Sequence, residues 1–212
     1  MQVTKKAGYH HGDLRRTLID ASVDVITKDG IDALTLRTLA TKAGVSSGAP
    51  YHHFADRADL LSAIAQAGFE MLGEAMVASR DAAAPDASAR LAAMGQAYVT
   101  FALTHAGHFR VMFRGDFKPA SATGPTASSG RTFALLVQVI QDCQREGTAP
   151  AGDPQPLVLT AWSVVHGMAT LWLDGSLPKI PLDPASSVPV VTNLISRMFT
   201  ALAAVDPSRP PR

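Results

Sequence analysis

Few side chains in this 212-residue sequence stand where they could do chemistry together, and the densest group runs from Ser46 through Ser47, Gly48, Ala49, Pro50, Tyr51, His52 and His53 to Arg57. Hydroxyls, imidazoles and a guanidinium so close in sequence offer hydrogen bonds to phosphate oxygens or base edges, and the small residues Ser47, Gly48 and Ala49 let a backbone approach them closely. Arg37, a little upstream, has the reach and the forked donors for a guanine or a phosphate. A second set, His105, His108, Cys143 and His166, carries imidazole and thiolate groups of the kind that bind transition metals. Its spacing contains no Cys-x-x-Cys or His-x-x-x-His pair. No Gly-x-Ser-x-Gly elbow, phosphate-binding glycine loop or paired-carboxylate arrangement stands out, so the chain reads as a non-enzyme that needs no cofactor.

The first group must be held by helices. In 34–61, LTLRTLATKAGVSSGAPYHHFADRADLL, Thr35 can cap a helix whose Leu36, Leu39 and Ala40 face inward. Gly44 stands where the chain must turn at positive φ, and Val45 plugs the angle behind it. Ser46 is then expected to cap a second helix that presents its leading turn to the major groove, as a helix-turn-helix requires. Pro50, near the start of that helix, removes a backbone hydrogen bond and should shorten or bend it. Leu14, Leu18, Ala21 and Val25 mark a preceding helix with Asp13 as its cap and Gly30 as its end. A fourth helix is expected from about Asp56 to just before Pro85.

Residues 12–61 resemble the DNA-binding domain of the tetracycline-repressor (TetR) family of bacterial transcription regulators. The matching residues are the LTLRTLATKAGVS run, the serine-led short helix, Tyr51-His52-His53-Phe54, Arg57 and the Leu60-Leu61 pair. Carried over residue by residue, the resemblance implies phosphate contacts at Thr35, Ser46, Tyr51, His53 and Arg57. It implies base or groove contacts at Arg37, Ser47, Gly48, Ala49 and His52. Many members have a basic residue where Ser47 stands and a leucine where Pro50 stands. The resemblance also implies a helical C-terminal domain that dimerises and holds a small effector. Trp162, His166 and Gly167 are similar to a Trp-x-x-x-His-Gly signature of one TetR subgroup.

Composition agrees with such a protein without demanding it. At 47% hydrophobic residues the chain can bury a sizeable core, and its net charge of +1 gives no general pull toward nucleic acid. The single cysteine, Cys143, rules out an intrachain disulfide, and no apolar segment follows the N-terminal lysines as in a secretory signal, so a cytoplasmic location is expected. The apolar stretch 157–173 is broken by Thr160, Ser163, His166 and Thr170, short of the roughly 20 mostly apolar residues of a membrane span, and no membrane partner is expected.

The expected fold is all-α with about nine helices. A basic arm (1–11), a helix-turn-helix domain (12–57), a ligand-binding and dimerisation domain (58–205) and a disordered tail (206–212) divide the chain. Residues 115–130 read as a flexible loop, which could also cover a pocket, leading to a helix with Phe133, Leu136, Val137 and Ile140. The candidate pocket residues are Met71, Met94, Tyr98, Phe101, Met112, Phe113, Phe133, Val137, Trp162 and Trp172, with His166 either touching an effector or serving as a buried, hydrogen-bonded contact. Few charges occur among them, which points to an apolar or aromatic effector. Two last helices, about 156–173 and 184–204, would pair with their copies: Gly167, Ala169, Ala201, Ala203 and Ala204 permit close approach, and Leu194, Ile195, Met198 and Phe199 supply apolar area. The functional expectation is a homodimeric repressor released from a palindromic operator by its effector, and the alternative is a metal-sensing regulator.

Overall fold

The computed structural model describes residues 11–114, 125–177 and 183–205, and the side chains of 11–13 and 125–126 are outside that description. The expected basic arm, but for His11, and the tail lie outside the described residues, as do 115–124 of the expected loop. Eight α-helices and two short 3-10 turns make up the described regular structure, with no strand among them. The helices are α1 (His11–Asp29), α2 (Leu36–Ala43), α3 (Arg57–Ala82), α4 (Ala87–Thr104), α5 (Ala106–Met112), α6 (Pro125–Glu146), α7 (Gln155–Leu173) and α8 (Pro184–Ala204). The 3-10 turns span Ile31–Ala33 and Ala49–His52.

Buried apolar residues fall into two clusters. Leu18, Ile26, Leu34, Leu39, Phe54, Leu60 and Ile64 centre the first, drawn from α1, α2 and the front of α3. Phe69, Leu72, Met94, Tyr98, Phe109, Ile140, Val158, Ile195 and Phe199 belong to the second, which α4 threads while packing on α3, α6, α7 and α8. Two helices contribute to both clusters. The front half of α3 gives Leu60, Leu61 and Ile64 to the first and its middle gives Phe69, Leu72 and Met76 to the second, while α5 gives Val111 to the first and Phe109 and Met112 to the second. The approach of α5 to α1 is close: a Cβ on Gly107 would lie 2.8 Å from the Val23 carbonyl oxygen and 2.5 Å from Thr27 Oγ1.

Local chemistry explains most helix ends. Thr35 and Thr38 form a reciprocal capping box at the start of α2, with Thr38 N–H donating to Thr35 Oγ1 and Thr35 N–H to Thr38 Oγ1. Gly44, at φ 67°, closes that helix: its N–H donates to Thr41 O and the Val45 N–H to Ala40 O, the paired bonds of a Schellman ending. Asp56 caps α3 by accepting from the Asp59 N–H, and Asp183 caps α8 through Ser186 N–H.

Four expectations need correction. Asp13 lies inside α1 and does not begin it. Residues 125–130 belong to α6, whose polar first turns are held by Ser128, which is buried, and by Thr132 Oγ1 donating to Phe69 O on α3. Tertiary contact there overrides weak helix propensity. The stretch carrying Tyr51 is a 3-10 turn where an α-helix capped by Ser46 was expected. Finally, α3, α7 and α8 are each long and apolar enough to cross a membrane by length and composition, although the polar interruptions of α7 argued otherwise. In this fold α3 lies against α4, α5 and α6, and α8 lies along α4.

Candidate functional site

Pro50 dictates the shape of the turn at Ala49–His52. An α-helix capped at Ser46 would need an N–H at position 50 to reach the Ser46 carbonyl, and proline has none. The chain tightens instead: Ala49 N–H donates to Ser46 O at 3.0 Å and Tyr51 N–H to Gly48 O at 3.1 Å, while Pro50 O accepts from His53 and Phe54. Pro50 itself is buried, so the proline also serves as core. No side-chain cap bond forms at the start of this turn.

That turn carries an exposed polar edge. Ser46, Ser47, Gly48 and His52 are exposed, Tyr51 is 60% exposed, and Ala49 and His53 are half-buried. Thr35 and Arg37 are exposed at the start of the neighbouring α2. Phe54 faces the opposite way, 1% exposed in the first cluster, with the Arg15 guanidinium 5.2 Å above its ring. Thr35 Oγ1 is already the helix cap, so any phosphate would meet the cap's N–H end and not an idle hydroxyl.

Arg57 has a different setting from the one its position suggested. Its Nε donates to Leu34 O at 2.8 Å and its Nη2 to Ile31 O at 2.7 Å, with Asp32 at 3.8 Å. The guanidinium therefore pins the α1–α2 link to the start of α3. Only a remaining donor could serve a phosphate. Nothing within a few residues of Arg57 signals this, because its partners lie 23 and 26 positions upstream. The Arg15–Phe54 stack is another contact that sequence spacing does not show.

A cavity of about 570 Å³ opens in the second unit between α3, α4, α6, α7 and α8. Met94, Tyr98, Met112, Phe113, Phe133 and Trp162, all expected at a pocket, stand on its wall. Phe69, Leu72, Met76, Leu91, Leu136, Ala161, Val165 and Ile195 add to its apolar lining and were not among the expected pocket residues. Met71, Phe101, Val137, His166 and Trp172 are not on the wall: all five pack elsewhere in the second cluster or against its rings, and Phe101 stacks on His105 at 4.7 Å between ring centroids. One helical face can meet several neighbours, and only the tertiary arrangement decides which of them leaves a space.

Tyr98 organises the polar part of this region. Its hydroxyl is 2.8 Å from His166 Nδ1 and accepts, more weakly, from Trp162 Nε1 at 3.4 Å. Phe113 meets the His166 ring edge-on at 4.6 Å. Burial raises the Tyr98 phenol and lowers the His166 imidazole, so both are neutral near pH 7 and the hydroxyl donates to Nδ1. The other candidate ligands do not gather. Burial, reinforced by His105, lowers His108, and burial pushes the Cys143 thiol up to about 11. Among the described residues no group of three His, Cys, Asp or Glu side chains could hold a metal ion.

Both halves of the chain match family models: residues 18–64 match that of bacterial regulatory proteins of the tetR family, and 91–194 match the tetracyclin repressor-like C-terminal domain. The chain belongs to the TetR family. It is a DNA-binding transcriptional regulator. The TetR relatives include the HTH-type transcriptional regulator BetI of Cronobacter sakazakii, 27% identical over 89% of this chain and 92% of that protein. A protein of unknown function from Rhodococcus sp. RHA1 superimposes with a TM-score of 0.79 at 35% identity, over 92% of this chain and all of that one. AibR, solved with isovaleryl coenzyme A and operator DNA, shares the fold at a TM-score of 0.68 and 14% identity, over 86% of this chain and 98% of its own.

Proposed function

We propose that this TetR-family regulator is a homodimeric, cytoplasmic repressor that leaves a near-palindromic operator when a small apolar or aromatic molecule occupies the 570 Å³ cavity. It acts by binding alone, without catalysis or cofactor. The observation that carries this reading is the sharing of α3 and α5 between the two clusters: Met112, on the cavity wall, lies next to Val111, which packs in the head. A ligand that favours one placement of α5 must then also favour one placement of α1, through the tight contact at Gly107. AibR, which binds both a small ligand and operator DNA on the same fold, is consistent with that division of labour.

In this reading residues 12–57 are the DNA-binding domain and 58–205 the ligand-binding and dimerisation domain. Tyr51, His53, Ser46 and the capped start of α2 at Thr35 grip phosphates. Arg37, Ser47, Gly48, Ala49 and His52 face the groove. Arg57 chiefly holds the head together and offers its remaining donor to the backbone. The Trp162, His166 and Gly167 pattern supports membership of the Trp-x-x-x-His-Gly subgroup.

Dimerisation rests on an apolar stripe. Val190, Leu194, Met198 and Leu202 recur every four residues along α8 and are 40–67% exposed, and Leu159 and Leu171 on α7 are 58% and 46% exposed. Pairing these faces with a second copy removes that surface from water and presents two reading turns together. Ile195, Phe199, Ala169 and Ala203, first assigned to this contact, are buried in the subunit's own core.

Thermal shift against a panel of small apolar and aromatic compounds, followed by fluorescence anisotropy on the DNA upstream of the coding sequence, tests the reading. Compounds that raise the melting temperature should release the duplex. Binders that leave the complex intact would remove the ligand-responsive half of the proposal.

A further inference from the structure

We infer that the cavity selects a neutral ligand built of a hydroxylated aromatic ring and an aliphatic tail, its hydroxyl donating to Tyr98 Oη and accepting from Trp162 Nε1. The inference rests on the ligand-pocket reading above and adds the ligand's polar group and its orientation.

The cavity wall has two chemically different ends. Leu72, Met76, Leu91, Met94 and Ile195 surround the end nearer the α3–α4 link, where Ser196 Oγ donates to Ser88 O and so ties α8 to the start of α4. These five are buried, and none carries a nitrogen or oxygen on its side chain. Phe69, Tyr98, Phe113, Phe133 and Trp162 surround the other end. Ring centroids lie 5.4 Å apart for Phe69 and Phe113, 6.3 Å for Phe113 and Trp162 and 6.1 Å for Phe133 and Trp162, with the first and last pairs edge-on. An aromatic ring gains from tilted and edge contacts with such neighbours, and an alkyl chain does not.

The hydrogen bonds of the aromatic end are unevenly filled. Tyr98 is 5% exposed, and its hydroxyl spends its proton on His166 Nδ1 at 2.8 Å. The phenolic oxygen then receives only Trp162 Nε1, at 3.4 Å, which is longer than the roughly 2.7–3.2 Å of an ordinary N–H···O bond. An acceptor and a donor thus stand side by side on the wall, each only weakly used. A ligand hydroxyl beside them serves both, donating to Tyr98 Oη and accepting from Trp162 Nε1, whereas an ether can only accept and a hydrocarbon does neither. Elsewhere on the wall the polar side chains are occupied. Thr132 Oγ1 donates to Phe69 O and Ser128 O, Thr192 Oγ1 donates to Val188 O, and Arg114 and Ser129 have partners of their own.

The test is calorimetric titration of the full chain, near neutral pH, with 4-butylphenol, 4-butylanisole and butylbenzene. Against a wall of hydrocarbon alone the phenol would bind more weakly than butylbenzene, because its hydroxyl would give up water without return. The uneven bonding predicts the reverse order: the phenol should bind about tenfold tighter than either of the others, the scale of two neutral hydrogen bonds at their net worth. Tyr98→Phe, which keeps the ring, should remove most of that margin and leave butylbenzene affinity unchanged. Trp162→Phe, an independent variant, should narrow the ratio of phenol to butylbenzene affinity as well. Butylbenzene binding as tightly as the phenol would overturn the hydroxyl inference and leave the pocket reading standing. So would an equally tight anisole, which cannot donate to Tyr98, or a phenol margin that survives both variants. Binding by none of the three would overturn both readings.

Discussion

The reading head and the cavity are built on opposite plans. In the head, most groups that shape the reading edge lie within about one turn of each other in sequence: Thr35 with Thr38, Gly44 with Ala40 and Thr41, Ala49 with Ser46. In the cavity, Leu72, Met94, Phe133, Trp162 and Ile195 meet from five different helices. A site made of local bonds keeps its shape through its own hydrogen bonds, whereas a site made between helices exists only while those helices keep their distances. That difference suits the two tasks. In the proposed reading, the head offers a fixed edge and the cavity changes when it is filled.

Two clusters joined only through α3 and α5 predict damage that is partly separable. Phe54→Ala, which empties a nearly fully buried site in the first cluster, should cost about 3–5 kcal/mol and abolish operator binding. Two-phase melting in which ligand binding by the second unit outlasts the head would sharpen the contrast, and a single cooperative loss of both would break it. Arg57→Ala removes charge-assisted bonds to Leu34 O and Ile31 O and should cost about 1.5–3 kcal/mol by chemical denaturation. If Arg57 acted only on phosphate, the stability of the free protein would not change.

Gly44→Ala places a Cβ on a backbone at φ 67° and should cost about 1–2 kcal/mol without altering ligand affinity. Tyr98→Phe, at the other site, removes the hydroxyl that His166 Nδ1 accepts from and should cost about 1 kcal/mol while leaving operator affinity of the ligand-free protein intact.

The smallest effect expected is one of pH. Burial lowers His166 and His108 in the folded chain below their ordinary 6.5, so the unfolded chain binds more protons once pH falls below that value. Their contribution to stability is complete above about pH 6.5 and is lost as pH falls toward the lowered folded values. Melting temperature should decline from pH 7 to 5, and the double variant His108→Gln, His166→Gln should decline less.

The same contrast sets how much could be read in advance. Thr35, Gly44 and the bounds of α3, α7 and α8 were legible because caps, turns and the spacing of apolar residues are written locally. Pro50 was recognisable as an irregularity, and its consequence follows once the missing N–H is assigned to the Ser46 carbonyl. The structural bonds of Arg57 were not legible because its partners come from a distant link, and α6 began earlier than expected because Thr132 finds its acceptor on α3. At the cavity, Tyr98 and Trp162 were found by type, but Phe101 and Trp172 look the same in sequence and pack away from it. Periodicity names a helix's inward face without naming its neighbours.

The central claim is that the 46–53 edge, presented twice, reads DNA sequence. Fluorescence anisotropy tests it most directly, comparing a symmetric duplex from the upstream region with the same duplex with both half-sites scrambled, using the wild type and the dimer-breaking Leu194→Asp. The account predicts that the wild type binds the symmetric duplex at least about 10³-fold more tightly, with affinity falling steeply as salt rises, and that Leu194→Asp loses most of that margin. Equal affinity for the two duplexes would contradict it.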